Sequence, residues 1–109
     1  MSEPGYLVVL VSCPTTALAL SIGRVLVEER LAACVHVLPG VTAIYRWQGS
    51  VEEDPQTVLV VKTSRSAWSR ITERVQEVHT DEVPEILALP IEEGLQTYLS
   101  WIDSVAGMT

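Results

Sequence analysis

One extended segment in the first half of the chain is much longer than an ordinary strand: Ala33-Cys34-Val35-His36-Val37-Leu38-Pro39-Gly40-Val41-Thr42-Ala43-Ile44-Tyr45-Arg46-Trp47-Gln48. The alternation of side chains in its second half predicts a β-strand with two different faces. Pro39-Gly40 predicts a bend or bulge within this strand rather than its end. At about 3.3 Å per residue the segment reaches about 50 Å, whereas common strands reach about 17–20 Å. Its outer half must therefore extend past the core of its own chain.

The residues before this segment predict a strand and then a helix. Leu7–Val11 is a continuous run of β-branched and aliphatic residues, which is typical of a buried strand. The pattern becomes helical over Ala17–Leu31, and Thr15 or Thr16 can cap the start of that helix.

The residues after it predict two more strands and two more helices. Gly49-Ser50 predicts a turn and Thr57–Thr63 a strand. A clearly amphipathic helix follows, with Ser64 as its expected cap and apolar residues at Trp68, Ile71, Val75 and Val78. Val83–Pro90 predicts a strand whose two prolines suit an edge position, and a short helix is expected after Gly94.

The predicted order β-α-β-β-α-β, with a C-terminal helix, indicates an α+β chain of the ferredoxin-like type with helices on one face of an antiparallel sheet. We expect one domain over residues 1–109 with an extended central hairpin. The apolar tip of that hairpin carries Ile44, Tyr45 and Trp47, and exposed apolar strand edges invite pairing with another chain. An oligomer is therefore expected.

Composition narrows the possible functions. The net charge is −7 and the seven basic residues are scattered, so no basic cluster is present for binding nucleic acid. The apolar runs are too short to span a membrane, and the acidic start lacks the positive region of an export signal. Two cysteines do not make a disulfide framework, so we expect a cytoplasmic protein.

Several motifs together resemble the CutA-type divalent-cation tolerance family. They are EERLAACV at 28–35, LPG at 38–40, IYRWQG at 44–49, VVKT at 60–63, VPEI at 83–86 and YLSWI at 98–102. The resemblance extends from about Leu7 to about Ser104, which is nearly the whole chain. Each motif is weak alone, but their combination at these separations is specific.

The resemblance implies a homotrimer in which the long hairpins pair across subunits. It also implies a non-enzymatic protein of metal-ion tolerance that binds divalent ions, with Cu²⁺ as the first expectation and Zn²⁺ as the second. The family's architecture is similar to that of the nitrogen-regulatory PII signalling trimers. A signalling or scaffold trimer that holds a small molecule or partner protein in its inter-subunit clefts is therefore the alternative.

The strongest metal candidate is His79, which matches the family's histidine before the Pro-Glu pair. Asp81, Glu82 and Glu85 could complete a site of mixed hardness for several divalent ions. The alternative is a histidine that stabilises the end of a helix beside a solvated acidic loop.

The cysteines are weaker candidates. By alignment through Pro14, this chain has Val11 where some relatives have a copper-linked cysteine, and Cys13 follows two residues later. Cys34 could bind metal together with His36, although two ligands are too few for a closed site. A buried thiol that acts as a small apolar side chain is the other interpretation of Cys34.

By resemblance, Tyr45, Trp47, Glu53 and Lys62 lie near the inter-subunit clefts. Aromatic walls with one lysine and one carboxylate could hold a small anionic ligand, or the aromatic residues could be anchors of the subunit interface. The sequence contains no recognisable catalytic triad, phosphate loop, Cys-x-x-Cys pair or zinc-protease motif, so no enzyme is predicted.

Overall fold

The computed structural model describes residues 5–106. Its elements in chain order are β1 (Tyr6–Cys13), α1 (Thr16–Glu28), β2 (Cys34–Trp47), β3 (Ser50–Ser64), a 3₁₀ turn (Arg65–Ala67), α2 (Trp68–Val78), β4 (Ile86–Pro90) and α3 (Gln96–Val105). The predicted order of strands and helices is confirmed. The chain is an α+β protein with one four-stranded sheet.

The sheet is antiparallel throughout, in the order β2-β3-β1-β4. The register between β2 and β3 shifts between Leu38 and Val41, so the predicted bulge at Pro39-Gly40 is present. Gly40 has φ +79° there, a conformation that other residues rarely adopt. β4 is an edge strand, as its two prolines indicated.

The core lies between one face of the sheet and the helices α1 and α2. Alternate residues of β1 and β3 are fully buried beneath the apolar stripes of the two helices; they include Val9, Val11, Leu59 and Val61 from the strands and Ile22, Leu26, Ile71 and Val75 from the helices. Burial of this aliphatic surface is the main source of stability in a chain of this size.

The hairpin turn is one residue earlier than expected. Gln48 and Gly49 both have positive φ, 49° and 87°, which is the pattern of a two-residue type I′ turn. β3 begins at Ser50 instead of the predicted Thr57. Its first half contains Glu52, Glu53, Asp54 and Pro55, which are poor strand formers. Pairing with β2 overrides that local preference.

The first helix also differs from its prediction at one end. Thr15 caps it as expected, because its Oγ1 accepts the Leu18 N–H at 3.1 Å. The helix ends at Glu28, not at Leu31. Arg30 adopts φ 62°, and the Leu31 amide bonds back to the Leu26 carbonyl, which closes the last turn.

Two further boundaries were wrong in detail. Ser64 does not cap the second helix through its side chain, since its Oγ lies 2.9 Å from that of Ser66 and a 3₁₀ turn comes before α2. β4 begins at Ile86 instead of Val83. Residues 79–85 form an irregular link from α2 to β4.

Among residues 5–106, few side chains cover the second face of the sheet. α3 packs at one end of it, where Ile102 and Ala106 contact Ala33 and the Tyr6 hydroxyl donates to Asp103 at 2.5 Å. Leu87 and Leu89 of β4 are 55% and 52% exposed. No helix in the described part of the chain has the length and apolarity needed to cross a membrane.

Candidate functional site

An open groove lies between the outer half of the β2–β3 hairpin and the 79–85 link. Its volume is about 840 Å³, within the range of about 300–1,000 Å³ that ligand pockets occupy. Residues from both strands of the hairpin form one wall, and residues 80–83 and Glu85 form the other. The end of β1 contributes Ser12 and Pro14 at the inner end.

The groove is strongly acidic. Asp54 comes from the hairpin wall, and Asp81, Glu82 and Glu85 come from the link. None of the residues that line the groove is a lysine, an arginine or a histidine. Four carboxylates without a basic neighbour create a negative potential that concentrates cations.

The strand register places Asp54 in this groove. Asp54 is the Cα partner of Ala43, and both residues are among those that line the groove. The Oγ of Ser12 donates to Oε1 of Gln56, which ties this part of β3 to the end of β1. The hairpin wall is thus held to the main sheet at its inner end.

The ring of His79 holds the opposite wall in place. Its Nδ1 accepts the backbone N–H of Asp81 at 3.0 Å. The proton of the neutral ring is then on Nε2, which donates to the Ser12 carbonyl at 2.7 Å. Both nitrogens are occupied by backbone groups, so His79 has no free lone pair for a metal ion in this conformation. It positions Asp81 at the mouth of the groove.

The predicted metal residues are therefore brought together only in part. Asp81, Glu82 and Glu85 line one groove, while His79 lies behind them in the link. Within residues 5–106, no three His, Cys, Asp or Glu side chains converge closely enough to hold a metal ion. The groove of one chain collects negative charge but does not form a closed coordination site.

The two predicted aromatic residues, Tyr45 and Trp47, also line the groove and are 39% and 42% exposed. The Tyr45 hydroxyl donates to Asp54 Oδ2 at 2.5 Å. That hydrogen bond, partial desolvation and the negative charges of Asp54, Glu52 and Asp81 raise the pKa of Tyr45. Carboxylates on both walls of the groove therefore contribute to the raised pKa of Tyr45.

Glu53 and Lys62 do not join the aromatic pair within one chain. Glu53 is the Cα partner of Ile44 and is next to Asp54 in the strand, so its side chain is on the other face of the hairpin. Lys62 lies at the inner end of β3, opposite Cys34, and contacts His36. Any site that combines all four residues needs more than one copy of the chain.

The cysteines are on different faces of the sheet. Cys13 is fully buried in the core, and burial, with a smaller contribution from Asp81, raises its pKa to about 11. Val11, two residues earlier on the same face of β1, is also a core residue. Cys34 is only partly buried and lies outside the core clusters, so the prediction of a buried apolar thiol was wrong.

Three residues of the site were missed from the sequence. Ser12 and Gln56 join the two strands at the inner end, and Asp54 supplies the carboxylate of the hairpin wall. A signal for Asp54 was available, because an extension of β3 back to Ser50 puts Glu52, Asp54 and Gln56 on one face. No sequence signal pointed to Ser12.

Comparison with known proteins gives the family. The model of the family described as "CutA1 divalent ion tolerance protein" matches residues 7–105. This chain belongs to the CutA1 family. A divalent-cation tolerance protein CutA of Thermus thermophilus is 51% identical over 100 residues, covering 92% of this chain and 97% of that protein.

Solved CutA1 structures agree with the fold. The Thermus thermophilus protein superimposes with a TM-score of 0.91 at 50% identity, covering 94% of this chain and 99% of the other. CutA1 of Oryza sativa gives a TM-score of 0.93 at 34% identity, covering 96% of each chain. Human CutA is 44% identical over 95 residues, which is 87% of this chain but 53% of the human protein. Membership of the CutA1 family connects the chain with divalent-ion tolerance in the broad sense.

Proposed function

We propose that this protein is a non-enzymatic homotrimer that binds divalent metal ions, Cu²⁺ above all, in cytoplasmic metal-ion tolerance. The observation that carries the proposal is the acidic groove, in which Asp54, Asp81, Glu82 and Glu85 meet no basic side chain. Carboxylate oxygens accept most divalent ions. The family name points to the same chemistry.

The trimer is supported by what the sheet leaves uncovered. The strand order β2-β3-β1-β4 supports a ferredoxin-like arrangement, and β2 and β4 each have one free edge within the described chain. Because these two edges differ, a β2-to-β4 contact between copies is head-to-tail, and such contacts form a closed ring when the rotation between neighbouring copies allows it. The exposed Ile44, Leu87 and Leu89 supply apolar surface for that contact.

Assembly also offers a way to complete the ion site. The groove of one chain is open and has no closed set of three ligands. A neighbouring hairpin placed against the groove would add oxygen or nitrogen ligands and exclude water. Ion binding and assembly are therefore expected to be coupled.

The ion preference follows from the ligands. A groove of carboxylates does not select strongly by softness, so the general order of divalent affinities applies, with Cu²⁺ above Zn²⁺. In this proposal the ligands are the oxygens of Asp81, Glu82 and Glu85 with Asp54, and His79 holds the link that carries three of them. If the ring of His79 turns to the ion, it must give up at least one backbone hydrogen bond.

The remaining features are consistent with a protein that needs no macromolecule other than itself. The net charge of −7 and the scattered basic residues disfavour nucleic acid and anionic membranes. We propose one domain over residues 1–109, and the two unpaired cysteines suit the reducing cytoplasm.

The decisive experiment is calorimetric titration of the assembled protein with Cu²⁺ and then Zn²⁺, alongside light scattering for the mass. We expect saturable binding, tighter for Cu²⁺, and the mass of three chains. The variant Asp81→Asn/Glu85→Gln should bind Cu²⁺ at least about tenfold more weakly, because two charged ligands become neutral. The matched control is Glu92→Gln/Glu93→Gln, which removes the same charge outside the groove.

Equal losses in the two double variants would mean that general surface charge, not the groove, attracts the ion. A 12 kDa mass in dilute solution with unchanged binding would contradict the trimer. Electron paramagnetic resonance of the Cu²⁺ complex separates the ligands, since nitrogen splitting that disappears in His79→Ala would identify His79 as a direct ligand.

The signalling or scaffold trimer is the second candidate, and the half-exposed Tyr45 and Trp47 favour it. Aromatic walls are typical of small-molecule sites. A thermal-shift screen with nucleotides and common metabolites tests it. A stabilising compound whose effect disappears in Trp47→Ala, with metal absent, would favour this function over ion binding.

A further inference from the structure

A second group of polar side chains lies on the sheet face opposite the core helices, away from the groove. Cys34 and His36 are two residues apart on β2, so their side chains point to the same face. Lys62, the only lysine of the chain, is the Cα partner of Cys34 on β3. Tyr98 of α3 completes the group, so three elements build it.

Lys62 determines which nitrogen of His36 carries the proton. The Nζ of Lys62 contacts Nδ1 of His36. An ammonium group has only donors, so Nδ1 must accept and the proton of the neutral ring is on Nε2. Nε2 lies 3.8 Å from the sulfur of Cys34. His36 therefore turns an N–H toward the sulfur and not a lone pair.

Tyr98 supplies a second donor. Partial burial, the electrostatic interaction with Cys34 and a hydrogen bond between the Tyr98 hydroxyl and Cys34 raise the pKa of Tyr98. Tyr98 thus stays protonated as the donor. The Tyr98 hydroxyl and the Nε2–H of His36 therefore face the sulfur, with the Lys62 ammonium nearby, and such an electropositive, partly exposed position is typical of reactive cysteines.

The same geometry disfavours a metal ion. An ion between the sulfur and Nε2 would need the lone pair that the Lys62 contact removes, and it would face the positive charge of Lys62. The described residues also provide no third His, Cys, Asp or Glu ligand here. An uncharged electrophile needs no lone pair on Nε2 and is not repelled by the positive charge of Lys62.

We propose that Cys34 is a nucleophilic thiol site for small α,β-unsaturated carbonyl compounds. The thiolate attacks the β-carbon and forms the C–S bond, and the π electrons of the C=C bond move toward the carbonyl oxygen. That enolate oxygen is stabilised by the Lys62 ammonium, and the α-carbon finally takes one proton, equivalent to the proton of the original thiol. Val8 and Val60, beside Lys62 and His36 in the strand register, give an apolar floor for the body of the compound.

This reactivity is separate from ion binding in the groove, which lies at the other end of the hairpin and uses other side chains. Cys13 is the internal contrast. It is fully buried and its pKa is raised to about 11, so it is an inert thiol in the folded protein.

The test uses N-ethylmaleimide, an α,β-unsaturated carbonyl compound, on the native assembled protein at pH 7, with intact mass and peptide mapping as readouts. We expect one adduct, at Cys34, formed on the order of tenfold faster than on the same chain unfolded in denaturant, because unfolding removes the donors and the ammonium group that surround the sulfur. Cys34→Ser should remove the adduct and Cys13→Ser should leave its rate unchanged.

Three variants test the geometry. Lys62→Met, His36→Gln and Tyr98→Phe should each slow alkylation toward the rate of the unfolded chain, whereas Arg24→Met removes a positive charge elsewhere and should not. Circular dichroism of each variant confirms folding before rates are compared. A native rate no faster than the unfolded rate would overturn the proposal, whether from a protonated thiol or from burial of Cys34 between subunits.

A metal titration provides the opposing outcome. Cd²⁺ gives a sulfur-to-metal absorption band when a thiolate binds it. A stoichiometric band that disappears in both Cys34→Ser and His36→Gln would make the group a metal site and overturn the electrophile proposal. The absence of that band, with fast alkylation, supports it.

Discussion

The inner and outer halves of the β2–β3 hairpin are stabilised in different ways. At the inner half, Leu59 and Val61 are fully buried under α1 and α2. At the outer half, Ile44 and Val51 are 67% and 64% exposed, and the strands are held by ladder hydrogen bonds, a tight turn and the Tyr45–Asp54 hydrogen bond. Two paired strands alone are marginally stable in water. The outer half therefore depends on a rigid inner half and on surfaces outside the chain.

The largest effect should come from a matched pair of truncations, Leu59→Ala and Ile44→Ala, which remove the same number of carbon atoms. Leu59→Ala leaves a cavity in the core, so the free energy of unfolding should fall by about 2–5 kcal/mol. Ile44→Ala should change it by less than about 0.5 kcal/mol in the dissociated chain. Urea titrations at low protein concentration measure both.

The same pair sharpens the comparison at higher concentration. If a second copy covers Ile44, Ile44→Ala should lower stability only where the protein is assembled, so its midpoint should depend on protein concentration. Equal losses for the two variants at low concentration would show that the outer half has a core of its own.

A smaller effect concerns pH and the inner half alone. The pKa of Cys13 is raised from an ordinary 9.0 to about 11 by burial, so folding favours the neutral thiol. Its contribution is complete below about pH 9 and is lost as pH rises toward about 11, by at most roughly 3 kcal/mol. The measurement is the difference between the pH–stability curves of the native chain and Cys13→Ala. A difference that stays constant from pH 8 to 11 would contradict the prediction.

The smallest effect is expected at the tip. Gly49 has φ +87° with open space around its Cα, so Gly49→Ala should strain the backbone without a clash and cost about 1 kcal/mol. Gln48→Asn is the opposite change, because asparagine accepts the positive φ of that position more readily. Hydrogen exchange of the outer strand amides should be faster in the first variant and slower in the second. Uniform exchange changes along the whole sheet would mean that the two halves unfold together.

Much of the fold could be predicted because it depends on local patterns. Apolar residues recur at helical spacing in α2, and continuous β-branched runs indicate the strands β1 and β3. Pro39-Gly40 indicates the bulge in β2. The errors fall where local preference and tertiary pairing disagree. Residue types such as Glu52, Asp54 and Pro55 do not favour a strand, yet each of these residues is paired with a residue of β2.

The candidate site was predictable only in part. The family motif pointed to His79, Asp81, Glu82 and Glu85, and the structure places the three carboxylates in one groove. The family motif could not indicate that both nitrogens of His79 form hydrogen bonds with the backbone of Ser12 and Asp81, because those bonds depend on where β1 ends relative to the link. Ser12 is 67 residues from His79 in the chain.

The amino-acid sequence alone determined the order of elements, the family and the excess length of the central hairpin, since each depends on residue types at short or fixed spacing. Only the tertiary structure decided that Asp54 faces the link, that His79 supports the groove and that Lys62 lies beside His36 and Cys34. Those contacts join residues far apart in the chain. Which side chains meet depends on the strand register, because a shift of one residue moves every side chain of a strand to the other face of the sheet.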